Sequence, residues 1–293
     1  LTGAFGLATM TVTYLVGLLL PLVVGFYFIL SLMEDSGYLP RVAALVDRLM
    51  NTIGLNGRAI IPMILGFGCV TMATITTRIL GSSRERTIAT AVLGLAIPCS
   101  AQLGVIAGML AGLGSKYIAI YVGVLVLVLG LVGKVLNRVL PGESTDLLID
   151  LPPIRMPRGE NVLKKTVTKS YAFLKEAAPL FMLGAFLITV LDLTGLLDKI
   201  QIWLAPVTEG ILFLPKEAAN VFIMGMIRRD FGAAGLTDMT LSPEQTLISL
   251  IVITLFVPCI ASVMVMLKER GTREGIAIWV GSWIAAFAVG GLV

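Results

Sequence analysis

The stretch "GFGCVTMATITTR" (residues 66–78) places a cysteine, two glycines and four threonines within 13 residues of a strongly apolar chain. A helix that faces lipid is mostly leucine, isoleucine and valine, because unpaired polar groups are costly in hydrocarbon. The glycines at positions 66 and 68 favour close packing or local unwinding of a helix. The stretch therefore predicts an interrupted helix whose polar groups face protein or water rather than lipid.

The composition of the whole chain is typical of a helical membrane protein. Of its 293 residues, 57% are hydrophobic and 14% are charged, and the mean hydropathy is +0.96. Open sheets cannot satisfy their backbone groups in lipid, so we predict an all-α polytopic membrane protein. The net charge of +4 is modest, and we expect no nucleic-acid partner. The uncharged runs that predict spans are 7–33, 88–115, 117–133, 177–191, 246–267 and 276–293.

Basic residues indicate the orientation of these spans. Of the 22 lysines and arginines, 17 fall within residues 41–86, 134–175 and 268–273. Cytoplasmic loops carry an excess of such residues, so we expect the loops 34–86, 134–175 and 268–273 to be cytoplasmic. The first span then runs from outside to inside. This order predicts that Leu1 lies outside and that a further span precedes it in the protein.

The sequence repeats itself, because three blocks of its first half recur in the same order and at nearly constant spacing in its second half. Since the two copies enter the membrane from opposite sides, they predict an inverted-topology repeat, an architecture of many secondary transporters. The matched blocks are "EDSGYLPR" (34–41) with "DLTGLLDK" (192–199), "MILGFGCVT" (63–71) with "FIMGMIRRD" (222–230), and "AIPCSA" (96–101) with "FVPCIA" (256–261).

Each copy contains two predicted helix interruptions. Pro98 and Pro258 each remove a helical donor and clash with the preceding turn, so we expect the carbonyl of Gly94 to face a cavity. Irregular backbone survives at membrane depth only where protein or water covers it, so matched breaks predict a central site. The interruptions are "GFGC" (66–69), "IPCS" (97–100), "GMIRRDFGAAG" (225–235) and "VPCI" (257–260).

All the cysteines of the chain lie at these interruptions, at positions 69, 99 and 259. Cysteine is a soft ligand that selects late or soft metals over Mg²⁺ or Ca²⁺. The competing interpretation is that a buried cysteine is only a small apolar side chain. We predict a metal path lined by Cys69, Cys99 and Cys259, with further ligands within one helical turn at Thr71, Met72, Ser100 and Ser262.

Charged side chains near the spans have two interpretations. Glu34 and Asp35 close the first span and predict either a cation-attracting vestibule or a water-exposed helix end. Asp192 is their counterpart in the second copy. Asp230, which follows Arg228 and Arg229, predicts a structural salt bridge within the second copy.

Signatures of the common enzyme classes are missing from the sequence. It contains no histidine, and no GxxxxGK[ST], GxSxG or HExxH motif occurs in it. We therefore expect the segment to be non-catalytic.

Several long motifs resemble one family. The chain is similar over nearly its whole length to the membrane domain of the prokaryotic ferrous iron transporters of the FeoB family. The motifs that carry the resemblance are "MEDSGYLPRVAALVDRLMNTIGLNGRAIIP" (33–62), "GFGC" (66–69), "IRRDFGAAGL" (227–236) and "ITLFVPCIASVMVMLKERG" (253–271).

The resemblance implies an organisation and a set of partners. Its domains would be a first gate repeat (7–112), a core transmembrane helix and cytoplasmic loop (113–165), a second gate repeat (166–271) and a final transmembrane helix (272–293). An N-terminal GTPase domain absent from this chain would bind GTP and Mg²⁺ and control the transport of Fe²⁺. The cytoplasmic (inner) membrane of a prokaryote is the implied location, with membrane lipid, small cytosolic accessory proteins and further copies of the chain as partners.

The resemblance also implies that the gate cysteines line the Fe²⁺ path, and these correspond to Cys69, Cys99 and Cys259. The family's common pattern departs from this sequence at Val70–Ala73 and at Pro98–Gln102. These departures leave open the transport of another divalent metal. A small organic solute such as a nucleoside is a further alternative substrate, and a regulatory membrane subunit is an alternative of a different class.

Overall fold

The computed structural model of the chain describes residues 17, 20–142, 156–195, 210, 215, 218–227, 229–239, 241–256 and 259–293. These residues form α-helices and short 3-10 turns, and no strand occurs among them. The helices of the first half are α1 (Leu20–Asp35), α2 (Tyr38–Thr52), α3 (Ile60–Gly68), α4 (Val70–Thr76), α5 (Ser83–Ala96), α6 (Ser100–Leu113) and α7 (Ser115–Val139). Those of the second half are α8 (Gly159–Leu193), α9 (Ala218–Ile227), α10 (Arg229–Gly235), α11 (Pro243–Phe256), α12 (Ile260–Arg270) and α13 (Thr272–Leu292).

Within the described ranges, four helical segments are long and apolar enough to cross a membrane. Two of them are pairs of consecutive helices, α5 with α6 and α11 with α12, and the others are α7 and α13. They agree with the predicted spans 88–115, 117–133, 246–267 and 276–293. The protein is therefore an all-α, multi-pass membrane protein, as the sequence predicts.

The remaining two predicted spans belong to α1 and α8, which pack against each other. The predicted span 7–33 lies partly outside the described residues. The span predicted to begin at residue 177 is instead the second half of α8, a helix of 35 residues with Pro179 inside it. A proline is tolerated in a membrane helix when its neighbours satisfy the freed backbone groups.

The order of elements from α3 to α7 recurs from α9 to α13, and the helix breaks recur with them. Equivalent helices are α3 with α9, α4 with α10, α5 with α11, α6 with α12 and α7 with α13. Ser82 caps α5 by accepting a bond from the Glu85 N–H, and Ser242 caps α11 by accepting one from the Gln245 N–H. The repetition seen in the sequence is therefore a repetition of structure.

Glycine joints recur at the same places. Gly114 joins α6 to α7 with φ 99° and ψ 164°, and Gly271 joins α12 to α13 with φ 81° and ψ 165°. A residue with a Cβ rarely adopts this conformation, so glycine is needed at both joints. The predicted pair Gly37 and Gly195 also has positive φ in both copies, and Pro258 lies outside the described residues.

Contacts at one end of the molecule show that the two copies run in opposite directions. We call this end, where Arg78, Arg84, Asn137 and Glu269 lie, the basic end. Arg78 Nε donates to Glu269 Oε2 at 2.8 Å, and Arg84 donates to the Asn137 carbonyl at 3.0 Å. The start of α5 therefore lies beside the ends of α7 and α12. Helices α5 and α6 lead away from the basic end, whereas α11 and α12 lead towards it, which confirms the inverted repeat.

The second copy also depends on one backbone contact between its half-helices. In the α9–α10 hairpin, a Cβ on Gly232 would lie 2.7 Å from the Gly225 Cα and 3.0 Å from the Val221 carbonyl oxygen. Main-chain atoms cannot move aside as a flexible side chain can. The hairpin therefore requires a glycine at position 232.

We expect Gly232→Ala to destabilise the protein by about 1–3 kcal/mol, the usual cost of overpacking. The matched control is Gly281→Ala on the exposed face of α13, where a Cβ would meet no atom within 4 Å. Thermal unfolding in detergent micelles measures both variants. Equal unfolding temperatures for the two variants would contradict the close backbone contact.

Candidate metal pathway at the helix breaks

The three cysteines occupy equivalent places in the fold. Each is the residue before the second half of a broken helix: Cys69 before α4, Cys99 before α6 and Cys259 before α12. All three have non-helical backbone angles, for example φ −152° and ψ 117° at Cys69. None of the three forms a disulfide, and all are half-buried. Each thiol therefore lies at the start of the second half of a broken helix.

Glycines allow the first break to pack closely. A Cβ on Gly66 would lie 2.6 Å from Leu93 Cδ2 in α5, and one on Gly68 would lie 2.9 Å from Phe26 Cδ2 in α1. The Ser100 hydroxyl donates to the carbonyl of Gly68 at 3.2 Å. The two predicted breaks of the first copy, 66–69 and 97–100, therefore meet, as expected.

A chain of polar contacts joins the two copies at the breaks. The Cys259 thiol donates to the Ser262 hydroxyl at 3.4 Å, and the Ser262 and Thr71 hydroxyls are 2.9 Å apart. Thr71 in turn bonds to the Cys69 sulfur, which also accepts the Met72 backbone N–H. The sulfur of Cys69 is thereby linked to that of Cys259 across the interface between the copies.

The predicted ligands do not form a preformed metal cluster. Cys69 lies close enough to both Cys259 and Cys99 for charges on the sulfurs to interact. Even so, no three Cys, Asp or Glu side chains among the described residues are close enough to hold a metal ion together. Met72 is 2% exposed and belongs to the apolar core with Leu65. The arrangement offers thiols, hydroxyls and carbonyls in succession rather than one closed site.

Arg229 is a central residue whose contacts the sequence did not reveal. Its side chain is buried, and its guanidinium crosses from α10 to the first copy. There it donates to the carbonyl of Ile97 at 2.9 Å and to the carbonyl of Gly94. The expectation that the Gly94 carbonyl faces a cavity is therefore wrong, since an arginine takes it. The side chain of Asp230 lies outside the described residues.

A signal for Arg229 was present in the sequence. A charged residue inside an apolar segment is costly and marks a functional position by default. Its carbonyl partners lie 132 and 135 residues away in the chain, however, and no local pattern indicates them. The nearby Asp230 is the next residue in the chain, which favoured the ion-pair interpretation.

Comparison with known families also finds two similar segments in the chain. A family model described as Gate, nucleoside recognition, matches residues 16–113 and again 174–273. A second model, described as ferrous iron transport protein B C terminus, matches residues 118–169 between them. The chain belongs to the FeoB family. The first Gate segment contains α3 to α6, the second contains α9 to α12, and the FeoB C-terminal segment covers most of α7 and the start of α8.

Curated FeoB proteins are similar over most of the chain. The Fe(2+) transporter FeoB of Methanocaldococcus jannaschii is 28% identical over 306 residues, which cover 92% of this chain and 46% of that protein. The Fe(2+) transporter FeoB of Staphylococcus aureus (strain COL) is 27% identical, covering 88% and 43%. That of Helicobacter pylori (strain 26695) is 34% identical, covering 58% and 27%. The chain thus spans about half the length of the first of these relatives, and no solved structure matches it.

A second polar cluster lies close to the breaks of this FeoB chain. The Tyr121 hydroxyl and the Thr254 hydroxyl are 2.8 Å apart, and Gln102 Nε2 donates to Thr254 at 3.3 Å. Gln102 is fully buried, and its Oε1 atom has no hydrogen-bond partner among the described residues. Gln102 in α6 holds the position that Ser262 holds in α12. Gln102 and Tyr121 of the first copy thus meet Thr254 of the second copy in a polar cluster of their own.

The vestibule carboxylates are paired with lysines of α8. Lys169 Nζ lies 2.7 Å from Glu34 Oε2, and Lys165 Nζ lies 3.6 Å from Glu34 Oε1 and 4.0 Å from Asp35. Asp35 is buried and accepts the Arg158 backbone N–H at 2.8 Å. Glu34 also lines a cleft of about 820 Å³ at the basic end. A cation entering there would compete with two lysines for these carboxylates.

The charge of Glu34 depends on this pairing. Burial raises the pKa of its carboxyl, but the hydrogen bond and charge of Lys169 and the charge of Lys165 outweigh that effect. The net result is a pKa below the ordinary value. A carboxylate with a lowered pKa stabilises the fold above its unfolded-state pKa, and this contribution is lost as the pH falls through the folded-state pKa.

We expect Glu34→Gln to lower the unfolding temperature at ~pH 7 and to have a smaller effect at ~pH 3.5, below the ordinary pKa of a glutamate, because the contribution of the pair is lost as the pH falls through the folded-state pKa. The measurement is thermal unfolding at the two pH values. The exposed Glu160 of α8 provides the control Glu160→Gln, which changes the same charge away from the pair. A deficit for Glu34→Gln that persists unchanged at low pH would show that the ion pairs do not stabilise the fold.

The hydroxyl contact between the copies is tested with a double-mutant cycle of Thr71→Val and Ser262→Ala. We expect a coupling energy of about 0.6–1.7 kcal/mol, the range for side-chain hydrogen bonds between membrane helices. Unfolding free energies of the single and double variants give this value. The control cycle uses Thr74→Val with Ser262→Ala, because Thr74 bonds to the Val70 carbonyl of its own helix. Equal coupling in both cycles would refute the contact.

Proposed function

We propose that this chain is the membrane part of a transporter that carries ferrous iron into the cytoplasm between its two gate repeats. The observation that supports it best is the polar chain from Cys69 through Thr71 and Ser262 to Cys259, which lies where the helix breaks of the two copies meet. The names of the curated relatives, Fe(2+) transporter FeoB, support the choice of ion.

The chemistry of the path suits an ion that must be both bound and released. Ferrous iron is intermediate in softness and accepts thiolate, hydroxyl and carbonyl oxygen ligands. Conduction requires binding strong enough to draw the ion in and weak enough to let it leave, and a series of sites meets that requirement. Cys69, Cys99 and Cys259, with Thr71, Ser100 and Ser262, provide such a series along the breaks.

The contact between Thr71 and Ser262 is the closed state of the path in this proposal. The two hydroxyls are 2.9 Å apart, which leaves no space for an ion between them. Passage of the ion requires α4 of one copy and α12 of the other to separate. Because these helices belong to opposite copies, rocking one copy against the other opens the contact.

The domain organisation, the GTPase control, the partners and the membrane location in this proposal are those that the FeoB family implies. The gate repeats are residues 7–112 and 166–271, joined by the core segment 113–165 and followed by the helix at 272–293. A GTPase domain that binds GTP and Mg²⁺ elsewhere in the protein controls transport, with cytosolic accessory proteins or further copies as partners. The basic end faces the cytoplasm of a prokaryote whose inner membrane holds the protein.

A nucleoside substrate, which the description of the Gate model suggests, has less support in the site. Recognition of a nucleoside calls for amide groups and aromatic side chains at the breaks. Gln245 is instead committed to the cap of α11, where its Oε1 accepts the Ser242 N–H at 3.1 Å. The polar chain that joins Cys69, Thr71, Ser262 and Cys259 consists of thiols and hydroxyls, which favour a metal ion.

We expect the Cys69→Ser/Cys99→Ser double variant to take up ⁵⁵Fe²⁺ at least about tenfold more slowly than wild type, because serine hardens the ligand with little change in volume. Uptake is measured in cells that produce the protein at its natural length, normalised to the amount in the membrane. The control is Thr90→Val in α5, whose hydroxyl bonds within its own helix. Wild-type uptake by the double variant would show that these thiols only fill space.

A further inference from the structure

The guanidinium of Arg229 lies at the point where the first copy's broken helix exposes main-chain oxygens. Arg229 is the first residue of α10 and its side chain is 2% exposed. It donates to the carbonyls of Gly94 and Ile97, at the end of α5 beside Pro98 and Cys99. The charge of the guanidinium is also close enough to the thiols of Cys99 and Cys259 to interact with them.

Two carbonyls that converge at a helix end are a cation ligand set. The last carbonyls of a helix lack partners within it and carry partial negative charge. Unwound carbonyls and half-helix ends coordinate cations in transporters built from broken helices. In this chain a permanent cation already occupies that position, since the guanidinium group does not lose its proton in proteins.

We propose that Arg229 is a tethered cation that occupies a carbonyl site for the transported divalent metal ion, and that the metal and the guanidinium exclude each other there. The site consists of the carbonyl oxygens of Gly94 and Ile97 with the Cys99 thiol beside them. The inference rests on the proposed transport of a divalent metal and adds a competitor to it. An arriving ion displaces the guanidinium, and the returning guanidinium helps to expel the ion.

Arg84 also binds main-chain carbonyls, but it lies away from the helix breaks and therefore serves as a comparison. Its guanidinium donates to the carbonyls of Leu140 and Gly54 at 3.2 Å each and to that of Asn137 at 3.0 Å. These three carbonyls lie at the basic end, on loops and at the end of α7. Arg84→Gln is therefore a matched control, since it also removes a guanidinium from main-chain carbonyls.

The test is a titration of the purified protein with Co²⁺, and with Fe²⁺ under anaerobic conditions, followed by the rise in unfolding temperature. We expect the midpoint for Arg229→Gln to be at least about tenfold lower than for wild type, because a like charge no longer competes for the carbonyls. The midpoint for Arg84→Gln should equal that of wild type. The cobalt–thiolate absorption band provides a second readout of binding beside Cys99.

Each outcome bears on one of the two proposals. No metal-dependent rise in either the wild type or Arg229→Gln would overturn the proposed metal transport itself. A normal wild-type titration with an unchanged or higher midpoint for Arg229→Gln would overturn the tethered-cation inference alone. If Arg229→Gln does not fold, Arg229→Lys decides the question. A lysine ammonium cannot hold both carbonyls as the planar guanidinium does. We therefore expect the metal titration midpoint of Arg229→Lys to fall below that of wild type. A midpoint at or above the wild-type value refutes the inference.

Discussion

A break in a membrane helix leaves main-chain groups that water cannot satisfy, and in this protein other helices supply the missing partners. The Gly68 carbonyl accepts the Ser100 hydroxyl, and the Gly94 and Ile97 carbonyls accept the Arg229 guanidinium. An unpaired polar group costs several kcal/mol in hydrocarbon, which is comparable with the net stability of a whole domain. The breaks are therefore stable only in the presence of distant parts of the chain.

This dependence connects the two copies to each other. The partner of the α5 end comes from α10, and the partner of Thr71 in α4 comes from α12. A change at one break removes a hydrogen-bond partner from a break in the other copy. Packed interfaces of this kind have few alternative arrangements, so they switch between states rather than deform gradually. In the proposed transporter, the same contacts that satisfy the backbone would also hold the path closed.

The sequence predicted the features that local patterns determine. Uncharged runs gave the four described spans, the recurring blocks gave the two copies, and Pro98 with Gly66 gave the breaks. Long-range contacts carry no local pattern. The pairing of Glu34 with Lys169 joins residues 135 positions apart, and the contacts of Arg229 span a similar distance. The early start of α8 was also missed, because the charged residues before residue 177 indicated a cytoplasmic loop rather than a continuous helix.

The two copies share a backbone plan but not its chemistry. When the block 63–71 is aligned with the block 222–230, Cys69 of the first copy corresponds to Arg228 of the second, and Val70 corresponds to Arg229. The first copy therefore places a soft ligand where the second places permanent positive charge. A symmetric pair of breaks would hold an ion equally well on either side. In the proposed transporter, a thiol at one break and an arginine at the equivalent position of the other would give the ion unequal surroundings on the two sides.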